Sequence, residues 1–330
     1  MIRKITGFAL TLLVVLASVC LAQAQQKPPK LPRIGYVSGT GDLSNPGPYV
    51  EALRQGLRDL GYTDGKNIVI EYRGAEGKLE RVPSIVNELV QLEVDVLVVP
   101  IRSAILAAKH ATKTIPIVMV TGGDPVATGL IDSLARPGGN LTGISTLNRE
   151  LIGKRLELLT EVIPKLSRVG LLQNQDEQTA PDLKEHETAA RALKIQVQHL
   201  QVSGQNPDVE GAFKAAAKGR VNALITVTSA PLFLQRKRIA DLAIKNRLPS
   251  MYQGSDWIKA GGLMSYSTSD LEAFRRAAYY VDKILKGTKP SDLPVEQATK
   301  FELVINLKTA KELGLTIPPL VLMRVDNVVK

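Results

Sequence analysis

The side chains in this sequence best placed for chemistry are small and polar, and they stand just after short apolar runs. They are Ser38 and Gly39, Arg102 and Ser103, Thr121, Gly122 and Asp124, Ser145, Asn174, Thr228 and Ser229, Tyr252 and Gln253, and Tyr266. Hydroxyls, amides and bare backbone N–H groups at such points hydrogen-bond a small ligand or an anion. Arg102 adds a cation able to hold a carboxylate through two parallel hydrogen bonds. Each position also has a plainer structural role. Ser, Thr, Asp and Asn cap helices, as Asp124 before Pro125 would, and an exposed arginine pairs with a nearby acid. Tyr36, Tyr252, Tyr266 and Trp257 gather near the same points, where aromatic side chains wall a cleft or pack a core.

Recognisable catalytic sets are missing. His110, His186 and His199 lack the spacing of a His-Glu-x-x-His metal motif. The chain has no Gly-x-Ser-x-Gly elbow and no Gly-x-x-x-x-Gly-Lys-Ser/Thr phosphate loop. Gly35 and Gly39 do not complete a dinucleotide fingerprint, so no cofactor is expected. Paired carboxylates brought together from distant loops are the one arrangement that spacing does not address. The expectation is a binding protein rather than an enzyme.

The polar positions need elements to hold them, and the pattern supplies strands alternating with helices. Apolar β-branched runs at 33–37, 67–72, 94–99, 115–120 and 141–144 are separated by helical spacings such as Val50, Leu53, Leu57 and Leu60. Val96 to Val99 is apolar throughout, as in a strand covered on both faces. A second series follows, with strands at 168–172, 195–202, 221–227, 249–252 and 262–266. Alternation of this kind predicts an α/β fold of two Rossmann-like lobes with parallel sheets. One lobe is expected over 33–145 and the other over 146–265. A long helix ending near Gly287 and a Pro-rich tail should return to them, with parts of 266–300 joining the first and parts of 301–330 the second. Several crossings between lobes make a hinge suited to closing on a ligand.

The N-terminus reads as an address. Arg3 and Lys4, the apolar run Ile5 to Leu16 and Ala22-Gln23-Ala24 have the three-part anatomy of a secretory signal at 1–24, followed by a linker at 25–32. Cleavage after Ala24 would remove Cys20, the only cysteine, leaving a periplasmic chain without thiols or disulfides. Val19 fits poorly before a lipidated cysteine, so anchoring at Cys20 is the lesser alternative. No later segment approaches the roughly 18 apolar residues of a membrane span. Without Arg3 and Lys4 the balance is 40 basic to 32 acidic residues. The basic residues are dispersed, with only Arg236-Lys237-Arg238 clustered. The charge suits anionic ligands better than nucleic acid, which is not an expected partner.

Longer stretches carry a family resemblance. They include Glu51-Ala52-Leu53-Arg54-Gln55-Gly56-Leu57, Gly65-Lys66-Asn67-Ile68-Val69-Ile70-Glu71-Tyr72-Arg73 and Gly123-Asp124-Pro125-Val126. Further ones are Leu134-Ala135-Arg136-Pro137-Gly138-Gly139-Asn140, Ala260-Gly261-Gly262-Leu263-Met264-Ser265-Tyr266 and Phe301-Glu302-Leu303-Val304-Ile305-Asn306-Leu307. Together they make the chain resemble the ABC-transporter substrate-binding proteins related to the tryptophan/tyrosine-binding protein, of periplasmic binding protein type I. The resemblance implies two lobes joined by three crossings, a monomer, and a small-molecule ligand delivered to an ABC permease with its cytoplasmic ATPase. A ligand-sensing receptor subunit and an envelope enzyme are the competing classes. Pro100-Ile101-Arg102-Ser103 and Asn174-Gln175 depart from the family's usual Gly-Thr and Asn-Pro segments, so the resemblance alone does not carry over an amino-acid ligand.

Overall fold

Val96–Val99 is buried at all four positions, because a central parallel strand has helices on both faces. The computed structural model describes residues 30–41, 44, 46–146, 148–175 and 180–330. The leader at 1–24, with Cys20 and the cleavage point after Ala24, lies outside the described residues, as does most of the linker at 25–32.

Thirteen strands are found among the described residues. The first five are β1 (Arg33–Ser38), β2 (Val69–Gly74), β3 (Val96–Val99), β4 (Ile117–Thr121) and β5 (Leu141–Ser145). Next come β6 (Arg168–Asn174), β7 (Gln196–Val202), β8 (Ala223–Thr226), β9 (Ser250–Tyr252) and β10 (Met264–Thr268). The last three are β11 (Glu296–Gln297), β12 (Phe301–Asn306) and β13 (Asn327–Val329). They form two sheets, ordered β2-β1-β3-β4-β5-β11 and β7-β6-β8-β9-β10-β12-β13. Both are parallel except where β12 runs against β10. The fold is therefore α/β with two parallel-dominated lobes.

Each sheet has a core on each face. Ile34, Val96 and Val98 pack under the helices Pro48–Asp59 and Asp270–Leu285, while Leu97, Val99 and Met119 face the helices Val82–Gln91 and Arg102–Ala111. Period-2 alternation sends neighbouring residues to opposite faces, so in the second lobe Met251 and Tyr252 belong to different cores.

The chain passes between the sheets after β5, after β10 and after β11. The crossings are tied together. Thr268 Oγ1 donates to the Thr146 carbonyl at 3.1 Å, Ala298 N to the Ser145 carbonyl at 2.9 Å, and Ser269 N to the Lys300 carbonyl at 3.0 Å. β5, β10 and β11 all end at crossings, and β12, antiparallel to β10, begins at one. The carboxyl edges of the two sheets consequently face each other.

Candidate functional site

In both sheets the first strand lies between the second and third, so connections leave β1 and β3, and β6 and β8, in opposite directions. Ligands of open α/β sheets bind beyond the carboxyl ends of strands at such switch points. Here the two switch points confront each other across the gap, with Ser38, Gly39, Arg102 and Ser103 on one side and Asn174, Thr228 and Ser229 on the other.

On the first lobe, Arg102 opens the helix Arg102–Ala111, and its guanidinium reaches toward the end of β4. A methyl group on Gly123 would stand 3.8 Å from Arg102 Nη1 and 3.9 Å from Thr121 Oγ1. Arg102, Thr121 and the Gly122-Gly123 turn are thus brought together beside the bare N–H groups of a helix start, a setting that favours an anion. Ser103 is exposed in that first turn, and Gly39 packs its backbone against Ile101.

Three other first-lobe candidates have their side chains engaged within the protein. Ser38 Oγ accepts from Gly41 N at 3.1 Å. Ser145 Oγ donates to the Gly123 carbonyl at 3.3 Å. No helix opens at Asp124, so it caps none; its carboxylate closes a turn instead, accepting from Val126 N at 2.9 Å and Ala127 N at 3.0 Å, with Arg149 3.9 Å from its other oxygen.

On the second lobe the polar groups are less satisfied. Asn174 Oδ1, Thr228 Oγ1 and Ser229 Oγ are buried without a hydrogen-bond partner among the described residues. Asn174 Nδ2 donates to the Gly204 carbonyl at 3.4 Å, which leaves the amide oxygen directed elsewhere. Buried polar groups without partners are uncommon and costly, and at the end of a strand they are suited to a bound molecule.

The aromatic wall needs correction. Tyr252 is 0% exposed and stacks on Trp257 with ring centroids 4.7 Å apart. Both rings lie in the core beneath the second sheet, and a side chain at Gly262 would collide with the Tyr252 ring at 2.6 Å. Tyr36 stacks on Tyr72 inside the first lobe. Tyr252 therefore brings its backbone and not its ring to the gap, because its position in the pleat turns the ring inward. Gln253 and Tyr266 remain partly exposed, and Tyr266 leans on Phe301 with centroids 6.1 Å apart.

The structure adds residues that spacing alone did not single out. Tyr49 Oη donates to Asp256 Oδ2 at 2.6 Å across the gap, and its ring stacks on Phe274 at 4.8 Å. Asp256 Oδ1 also accepts from Lys259 Nζ at 2.8 Å. Burial, then the carboxylates of Asp256 and Glu302, push the nearby Asp270 carboxyl up to about 7. Burial also raises the Tyr49 phenol, so it stays a neutral donor. At the rim, a side chain on Gly77 would stand 3.3 Å from Leu234 Cδ2. The lobes thus approach each other at both places.

A separate open groove of about 540 Å³ runs along the outer surface of the second lobe, lined by Glu210, Gln235, Lys237, Arg238 and Asp241. Leu234 and Leu242 also line it, and its charged side chains pair with one another, Arg238 with Glu210 and Lys237 with Asp241. Among the described residues no group of three or more His, Cys, Asp or Glu could hold a metal ion, and no helix is long and apolar enough to cross a membrane.

Comparison with known proteins agrees with this architecture. Residues 45–329 match the family model described as ABC transporter substrate binding protein. A tyrosine-binding protein of Clostridioides difficile is 27% identical over 260 residues, spanning 78% of this chain and 74% of the relative. The crystal structure of a conserved domain protein from Vibrio cholerae superposes with a TM-score of 0.80 at 28% identity, covering 91% of this chain and all of that one. A Streptococcus pneumonia ABC domain in complex with L-Trp has a TM-score of 0.82 at 24% identity over the same shares.

Proposed function

The chain belongs to the ABC transporter substrate binding protein family, and from that premise we propose that it captures a small amino-acid-like or aromatic carboxylate in the gap between its lobes. It then delivers the ligand to an ABC permease driven by a cytoplasmic ATPase. The lobes comprise 33–145 with part of 266–300, and 146–265 with part of 301–330. Export by the leader at 1–24 puts capture in the periplasm, with a mature N-terminus at Gln25 that mass spectrometry would read.

What supports this reading is that Arg102 stands at a helix start past one carboxyl edge, and the unpartnered Asn174, Thr228 and Ser229 oxygens past the other. A carboxylate at the first and polar ligand groups at the second would be held by both lobes at once. A ligand that contacts both lobes binds the closed form more tightly, and that difference in affinity drives closure. A relative named for tyrosine and a structural neighbour solved with L-Trp support the ligand class. No turnover is needed in this account.

A thermal-shift screen with L-tyrosine, L-tryptophan, the other amino acids and benzoate tests it. At least one compound should raise the unfolding midpoint in a concentration-dependent way. A flat response to the whole panel would overturn the proposed ligand class.

A further inference from the structure

Arg155 is a cation inside an apolar helix face. It lies on the helix Ile152–Val162 beside buried Ile152, Leu156 and Leu159, and is 0% exposed. Burying a guanidinium is costly unless its donors meet fixed acceptors. Arg155 Nε donates to the Tyr266 carbonyl at 2.7 Å, Nη1 to the Asn148 carbonyl at 2.8 Å and Nη2 to Asn148 Oδ1 at 3.0 Å.

Those acceptors lie on or next to the connections between lobes. Asn148 lies on the first crossing. Tyr266 is two residues before the end of β10, where the second crossing starts, and its ring packs on Phe301, the first residue after the third. One side chain therefore holds the first crossing directly and, through Tyr266, the strand that leads into the second crossing and the start of the strand that follows the third.

The bond to Asn148 also sets that amide's orientation. A guanidinium only donates, so the Asn148 oxygen must face it. Nδ2 is then turned toward Thr146 Oγ1 at 3.3 Å. On that side a methyl group on Gly122 would stand 2.6 Å from Nδ2, so the amide nearly touches the β4 turn that borders Arg102. We propose that Arg155 is a positioning residue for ligand capture: by fixing Asn148 and Tyr266 it sets the relative orientation of the lobes. The inference rests on the capture reading for its purpose, but its geometry is independent of any ligand.

The test uses spin labels across the rim in the full chain carrying Cys20→Ser, Lys78→Cys and Lys237→Cys, without added ligand. Both labelled lysines are exposed and lie near the Gly77–Leu234 contact. Arg155→Lys keeps the charge but loses the fork, and Asn148→Ala removes one of its acceptors. Each should shift or broaden the interlobe distance distribution, and the double variant should go no further than Arg155→Lys alone. A purely structural role would lower the unfolding midpoint and leave the distances unchanged; that result would overturn the proposal. So would a change in Arg155→Lys absent from Asn148→Ala. Should Arg155→Lys fail to fold, Asn148→Ala decides alone, with parental distances counting against the idea. Since no ligand is present, a failed ligand screen and a failed distance experiment are separate outcomes.

Discussion

Tyr49 Oη donates to Asp256 Oδ2 at 2.6 Å, joining residues 207 positions apart and on opposite lobes. The phenol comes from the first turn of the helix Pro48–Asp59, and the carboxylate from the helix Ser255–Lys259 that follows β9. A bond of this kind exists only when the lobes are together, so it adds to the closed form alone.

Tyr49→Phe should therefore weaken ligand binding more than folding. Hydrogen bonds to charged groups contribute about 1.5–3 kcal/mol, which corresponds to roughly a ten- to hundredfold loss of affinity. The Phe274 stack survives the change, so the unfolding midpoint without ligand should move by only a few degrees. Calorimetric titration beside a thermal melt checks both parts.

Asp270 makes stability fall as pH rises through the weakly acidic range. Its neighbours are the Tyr49 hydroxyl, the Asp256 and Glu302 carboxylates and the Lys259 ammonium, with burial the largest influence. In the folded protein the carboxyl titrates near 7, whereas an unfolded aspartate titrates near about 3.9. Between those values the folded form holds a proton that the unfolded form has lost. Its contribution is full below about pH 4 and is gone above about 7. Asp270→Asn should remove this slope, at most about 1.4 kcal/mol per pH unit. Denaturant unfolding of both proteins from pH 4.5 to 7.5 measures the difference.

Gly56 lets the helices Pro48–Asp59 and Asp270–Leu285 approach closely. A methyl group there would stand 2.4 Å from the Arg275 carbonyl and 2.8 Å from Ala278 Cβ. Alanine is the better helix former by about 1 kcal/mol, yet overpacking a tight contact costs about 1–3 kcal/mol. Gly56→Ala is expected to lower the unfolding midpoint. A midpoint equal to or above the parent's would contradict the close packing.

The strands of both lobes were legible because burial on two faces leaves unbroken apolar runs, as in Val96–Val99 and Ile117–Thr121. β11 was not, since Glu296–Gln297 is two polar residues that become a strand only beside β5. The polar candidates were legible by their positions at strand ends. Which way Tyr252 points was not, because that depends on the pleat and on Trp257 covering one face. Arg155 did leave a trace, a charge at the i+3 position of the stripe begun by Ile152. Tyr49 and Asp256 left none, because only the meeting of the two lobes brings them together.

The central claim is that ligand is held between Arg102 on one carboxyl edge and Asn174, Thr228 and Ser229 on the other. A crystal structure with the compound that gives the largest thermal shift tests this most directly. The account predicts a carboxylate within hydrogen-bond distance of the Arg102 guanidinium or the adjacent helix N–H groups, and polar ligand atoms at Asn174 Oδ1 or the Thr228 and Ser229 hydroxyls. Ligand lying instead in the outer groove beside Glu210 and Arg238, with the interlobe gap unoccupied, would contradict it.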